Sequence, residues 1–236
     1  MTDYVNKWHQ VWSRRKSTPG LPANVLQQLI ELDGFDSPLG AMSENDWKTY
    51  VAVFAERCNL AMGDSIFEVG CGSGAFLFPF YQQGHPIGGI DYSEELIRVA
   101  KSFMPERQAE FSVMEAKEFS ELPVDVVVAN HVIHYFSSLS DAETVVSKML
   151  CKAVKSVYVS GVPDAALCIE SERERRGLLS PDEYEAKYEG LEILYYDREF
   201  FAELAKAYSY NVRYFDHGMP GFAQNQFRFD CLMTRC

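Results

Sequence analysis

The chain has 236 residues, with 22 Lys+Arg against 34 Asp+Glu and a formal net charge of −12. Hydrophobic residues make up 47% and charged residues 24%, the balance of a folded globular chain rather than a disordered one. The acidic total argues against a duplex nucleic-acid binder, which needs a basic footprint.

No apolar run reaches the roughly 18 residues of a membrane span, so no membrane association is expected. The six cysteines form no C-x-x-C pair, and neither a metal centre nor a redox dithiol is expected. Met1 to Gln10 lacks the apolar stretch of a secretory leader, which makes the cytoplasm the expected location.

The elements follow in chain order. Tyr4, Trp8 and Trp12 recur at helical spacing beside the basic Lys7, Arg14, Arg15 and Lys16. The stripe reads either as core packing or as a lid over a site. Pro19, Gly20 and Pro22 break it. A short helix is predicted over Asn24 to Leu32, then turns at Asp33-Gly34 and Ser37-Pro38. Ser43 with Asp46 resembles a capping box for a helix to about Leu60.

From Gly63 the pattern changes. Ser65 to Val69 is a short apolar strand running into glycines, and Ala75 to Gln83 reads as a helix stopped by Gly84. Ile87 to Ile90 is a second strand, and Ser93 caps a helix to about Phe103. Glu110 to Met114 is a third strand. Val124 to Ala129 is almost purely β-branched, as expected of a central strand covered on both faces. Ser140 and Glu143 form a capping box for a helix to about Val154, and Ser156 to Val162 is a fifth strand. Ala165 to Glu192 is a charged insert with helical tendency, in which Glu170 to Arg176 reads as a solvated helix and Ser180 with Glu183 as another capping box. Asp197 caps a helix to about Ala207. Val212 to Phe215 and Phe227 to Met233 are two late strands without an intervening helix, which suggests an antiparallel pair at one edge. Strands alternating with helices at this spacing predict an α/β fold with a doubly wound, mostly parallel sheet.

The most informative segment is Glu68-Val-Gly70-Cys71-Gly72-Ser-Gly74, at a strand-to-helix turn. Glycines there admit positive φ and let a ligand approach the backbone, and the helix N-terminus adds free N–H groups. Asp91, ending the next strand, is placed to accept both hydroxyls of a ribose. The same residues satisfy the dinucleotide fingerprint as Gly70-x-Gly72-x-x-Ala75. Glu68 tips the balance: a carboxylate before the glycines repels a pyrophosphate and attracts an ammonium group. S-adenosylmethionine carries an ammonium and a ribose and no phosphate.

From about Asp64 to Val162 the chain resembles the core of the class I S-adenosylmethionine-dependent methyltransferases of the small-molecule type. Glu68 to Gly74 matches their first motif. Gly89-Ile-Asp91-Tyr92-Ser93 is similar to the second, and Asp125 to Phe136 to the fourth strand and the loop after it. The resemblance implies a seven-stranded sheet with an antiparallel C-terminal edge strand and an N-terminal helical cap. It implies S-adenosyl-L-methionine as cofactor, held by Glu68, Gly70, Cys71, Gly72, Gly74, Asp91, Tyr92, Met114, Glu115, Ala116, Asn130 and His131. His134 and Tyr135 then fall nearer the acceptor and are the catalytic candidates. Trp8, Trp12 and His217 are candidates for touching the acceptor.

The expected organisation is one methyltransferase domain over 1–236: a helical cap (1–62), a cofactor-binding core (63–162), a lid-like insert (163–196), and a C-terminal helix and β-hairpin (197–236). The expected reaction is methyl transfer to oxygen or nitrogen of a small molecule, and the basic residues from Lys7 to Lys16 leave room for an anionic one. Two alternatives stay open: an NAD(P)-dependent oxidoreductase or nucleotide-sugar enzyme on the same fold, and a non-catalytic binding protein. The sequence does not fix the oligomeric state.

Overall fold

The β-branched run at Val124 forms the middle of the sheet. In the computed structural model, which describes residues 7–15, 24–36, 41–177, 180, 182, 184–185 and 189–236, strand β4 spans Val124–Asn130. Its neighbours are β1 (Ile66–Val69) on one side and β5 (Ala153–Pro163) on the other, both parallel to it. Beyond β1 lie β2 (Ile87–Asp91) and β3 (Phe111–Val113), also parallel. Beyond β5 lie β7 (Arg228–Arg235) and β6 (Tyr210–Asp216), and β7 runs antiparallel to both of its neighbours. The order is β3-β2-β1-β4-β5-β7-β6. The expected antiparallel pair is at that edge, with the last strand inserted between β5 and β6.

Period-two alternation gives the sheet two apolar faces. Val126 and Val128 enter one buried cluster, with the helices α2 (Val25–Leu32), α3 (Glu44–Arg57), α4 (Phe78–Gln82) and α5 (Glu94–Phe103). Val127 and Ala129 enter the other, with α6 (Leu139–Lys152) and α8 (Arg198–Ala207). Helix α1 (Lys7–Ser13) and helix α7 (Cys168–Gly177) lie outside these clusters and bear on the site. None of the described helices is long and apolar enough to cross a membrane.

Local chemistry explains most boundaries. Asn24, Ser43 and Ser93 cap α2, α3 and α5 by accepting the amides of Gln27, Asp46 and Leu96. Helix α6 starts two residues earlier than expected: Ser138, not Ser140, accepts the amide of Asp141. Asp197 precedes α8 without a side-chain cap bond. Helix α4 is shorter than predicted, because Pro79 cannot donate to the ladder and its aromatic residues are weak helix formers. Tyr4, Lys16, the Ser37-Pro38 turn and Glu183 lie outside the described residues.

Candidate active site

The strand order reverses between β1 and β4, and a cavity of about 930 Å³ opens beside their C-terminal ends. Ligands of open α/β sheets bind at this switch point. The cavity is lined by Glu68, Gly70, Cys71, Gly72, Asp91, Tyr92, Met114, Glu115, Ala116, Asn130, His131, His134 and Tyr135. Gly74 is set back against Met104 instead, so its part is in the turn and not the wall.

Glu68 is 2% exposed, and its Oε2 has no hydrogen-bond partner. Burial pushes its carboxyl well above the ordinary range, and Asp33 and Asp91 add to the shift by repulsion. Asp91 accepts the amides of Gly72 at 3.0 Å and Ser93 at 2.8 Å. Burial raises it to about 6 against those bonds.

The sequence reading did not assign Asp33 to the site. It follows α2 and reaches into the glycine turn, accepting the amides of Ser73 at 2.6 Å and Ala75 at 3.2 Å. Burial lifts it to about 7 despite these bonds. Gly72 has φ +53, and a Cβ there would collide with the Asp33 carboxylate. The free N–H groups of the turn are therefore already occupied by an anion from within the chain. Three carboxylates converge on this end of the cavity, and one keeps an unpaired oxygen.

Helix α1 lies over the cavity. Trp8 donates from Nε1 to the Glu192 carbonyl at 2.8 Å, Lys7 donates to the Glu189 carbonyl, and the Tyr92 hydroxyl donates to the Trp8 carbonyl. Trp8 and Trp12 pack on Tyr135 with centroids 4.5 and 5.7 Å away, and both line the cavity. Arg15, also on the wall, pairs with Asp36.

The loop after β4 carries a second construction. His131 has φ +55, a left-handed backbone that costs energy for a non-glycine residue. Its amide is held by the Ser160 carbonyl, and its ring fits against Gly161, where a Cβ would strike it. Its Nε2 lies 3.0 Å from Nε2 of His217. Nδ1 of His217 lies 2.7 Å from Oδ1 of Asp230, which also accepts the Gly161 amide, while Oδ2 takes Arg57 at 2.6 Å and Tyr158 at 2.9 Å. His217 thus stands behind His131 and not on the cavity wall. Burial works against the Asp230 carboxylate, but His217, Gly161 and Tyr158 hold it below its ordinary range. His134 is 3% exposed, and its Nδ1 lies 3.4 Å from the Arg228 guanidinium. Burial, then Arg228 and Arg175, keep this ring neutral.

The segment Glu170 to Arg176 departs from the solvated helix expected of it. Ser171 is buried, and Arg175 lines the cavity. Among the insert tyrosines, Tyr196 is core, its hydroxyl donating to the Ile133 carbonyl.

Residues 67–153 match the family described as methyltransferase domain. The match runs from β1 to the first residue of β5, which is well under half of the chain. An uncharacterized protein of Haemophilus influenzae is 27% identical over 108 residues, which cover 45% of this chain and 40% of that protein. The matched stretch thus spans well under two thirds of that curated relative. Among solved structures, the magnesium protoporphyrin IX methyltransferase of Synechocystis with bound S-adenosylhomocysteine superposes with a TM-score of 0.60 at 18% identity, covering 99% of this chain and 97% of the other. The geranyl diphosphate C-methyltransferase of Streptomyces coelicolor gives 0.63 at 11% identity, over 100% and 99%. At these identities the likeness is one of fold. The unpaired Glu68 oxygen and the Asp91 carboxylate stand side by side at the ends of adjoining strands β1 and β2.

Proposed function

We propose that this protein transfers the methyl group of S-adenosylmethionine to oxygen or nitrogen of a small-molecule acceptor. The observation that carries the reading is Glu68: a fully buried carboxylate with an oxygen left unpaired, beside a glycine turn whose amides Asp33 already fills. Such a turn offers nothing to a pyrophosphate, which speaks against the dinucleotide alternative, and it favours a cationic ligand.

In this reading Glu68 receives the ammonium group and Asp91 the ribose hydroxyls, while Met114, Glu115 and Ala116 flank the adenine. Asn130, held by the Tyr50 hydroxyl at 2.7 Å, and Tyr92 complete the wall. Bound there, S-adenosylmethionine supplies a methyl group on a positively charged sulfur, and transfer depends mostly on alignment and exclusion of water. Trp8 and Trp12 on α1 serve as the lid. The cap, core, insert and C-terminal hairpin act as one domain around this cavity.

An oxygen or nitrogen acceptor has a proton to lose. His131 is better placed than His134 to take it. His217 donates from Nδ1 to Asp230, so its Nε2 accepts from Nε2–H of His131, and Nδ1 of His131 keeps its lone pair. A proton taken at that atom is stabilised through His217 by the Asp230 carboxylate, as a buried aspartate stabilises the imidazolium of a triad. The lone pair of His134, by contrast, faces the Arg228 guanidinium. Tyr135 holds the lid tryptophans over this region.

The small size of the acceptor is supported by the cavity, whose volume is at the upper end for small-molecule sites and leaves room beside a cofactor. The names of two structural neighbours point the same way, to a magnesium porphyrin and to geranyl diphosphate. The test is calorimetric titration with S-adenosylhomocysteine and with NAD, followed by transfer of a labelled methyl group into pooled small molecules. Saturable S-adenosylhomocysteine binding and labelling of a small molecule are expected. NAD binding without S-adenosylhomocysteine binding overturns the reading.

A further inference from the structure

The cavity is divided electrostatically. Asp33, Glu68 and Asp91 stand at the glycine turn, whereas beside His134 it gathers Arg175 from α7, Gln224 from the loop before β7, and Arg228 at the start of β7. The donors of these three residues are incompletely used. Gln224 is 3% exposed; its Oε1 accepts the Ser171 hydroxyl at 2.9 Å, and its Nε2 is buried without a partner. Arg175 spends Nη2 on the Tyr195 hydroxyl at 3.0 Å, and its Nε is buried without a partner. Arg228 donates from Nη1 to the Gly161 carbonyl and toward His134, and stacks over Phe222. Among the described residues no carboxylate lies within ion-pair reach of Arg175 or Arg228. Burial lowers Arg228 to about 10, and Arg175 contributes to the shift by repulsion.

Two like charges and two orphaned donors in one corner are costly to the fold. Elsewhere around the sheet Arg57 has Asp230 as its charge partner, and Arg198 has Asp164. An arriving acceptor oxyanion resolves all three defects at once, since guanidinium groups match carboxylate and phosphate oxygens in geometry as well as charge. We infer that the methyl acceptor carries an oxyanion, a carboxylate or a phosphate, seated between Arg175, Gln224 and Arg228. The inference rests on the methyltransferase reading of the cavity. It places the anion site on the insert and the last strand, not on the basic N-terminal residues, of which Arg15 is already paired with Asp36.

The test uses the full chain saturated with S-adenosylhomocysteine, and benzoate, phenyl phosphate and uncharged benzamide as probes, with binding followed by ligand-observed NMR. At least one anion is expected to bind about tenfold or more tighter than benzamide, and the tighter of the two names the oxyanion. Arg228→Gln and, separately, Arg175→Gln should erase that preference, and Gln224→Glu should reverse it. Arg175 sits on the outlying α7, so its variant reports even where Arg228→Gln fails to fold. Equal binding of all three probes, no binding of any in the millimolar range, or a preference that survives both arginine variants overturns the inference. S-adenosylhomocysteine binding is measured on the same samples. Its absence in the parent protein defeats the cofactor reading itself, whereas its presence without anion preference defeats only this inference.

Discussion

Asp33 and Ser73 lie 40 residues apart in the chain, yet the carboxylate of the first accepts the amide of the second at 2.6 Å and fixes the glycine turn of the cofactor site. The cap helices and the sheet are joined at this bond. Asp33→Ala leaves the amides of Ser73 and Ala75 without their charged acceptor. The expected cost is about 1 kcal/mol, offset in part by removing a buried charge, or roughly 2–4 °C in Tm for a chain of this length. S-adenosylhomocysteine affinity should fall about tenfold as the turn loses its shape. Thermal melting and calorimetry check both, and unchanged values in the two assays would remove Asp33 from the site.

Glu68→Gln should separate stability from function. The substitution keeps the shape and removes a buried charge that Asp33 and Asp91 repel. Ligand-free protein at about pH 8 should gain about 1–2 kcal/mol, seen as a rise of roughly 2–8 °C in Tm. S-adenosylhomocysteine should bind roughly 10- to 100-fold more weakly, because a charge-assisted bond to its ammonium is lost. A variant that is both less stable and unimpaired in binding contradicts the role given to Glu68.

The three acids also set opposite pH trends for stability and binding. Asp33 is raised to about 7, Asp91 to about 6, and Glu68 well above its ordinary range. The folded chain therefore holds protons that the unfolded chain has already released between about pH 4 and 7. Their contribution to stability is complete at the acid end of that window and is lost as pH rises through 7. Binding needs the ionised forms, so S-adenosylhomocysteine affinity should fall as pH drops through 7 and 6. Melting and calorimetry between about pH 5.5 and 8.5 test the two slopes, and parallel slopes contradict the assignment.

What the sequence disclosed, and what it withheld, follows from the range of the interactions. The strand at Val124 and the caps at Ser43 and Ser93 announce themselves because period and capping are local. Glu68 and Asp91 are legible because strand ends and glycine turns are local too. Asp33 reads as the first residue of an Asp-Gly turn, and only packing of α2 on the sheet turns it into a ligand of Ser73. Arg175 reads as one charge in a solvated run, since no feature of ESERERR marks which face α7 turns inward. His217 and Asp230 are thirteen residues apart, one in the loop after β6 and the other on β7, and they meet because β6 and β7 pair in a register that sets Asp216 against Phe229. Ser138 and Ser140 both precede acids at capping spacing, and the sequence does not rank them.

The pair His217 and Asp230 yields the sharpest test of mechanism. If His131 accepts the proton of the acceptor, its removal by His131→Ala should cost about 10²–10⁴ in kcat, while His134→Ala should cost less than about tenfold. His217 acts through His131 as a positioning residue. His217→Ala should lower kcat by about 10²-fold with little change in S-adenosylhomocysteine affinity, since His217 does not line the cavity. The pH profile distinguishes this role from a structural one. Burial, followed by His217, Arg228 and His134, already lowers the His131 ring below its ordinary value. His217→Ala removes one of these lowering influences together with the relay to Asp230, so the acid limb of kcat should move to higher pH while the plateau drops. A merely structural His217 would lower the plateau and leave the limb where it was.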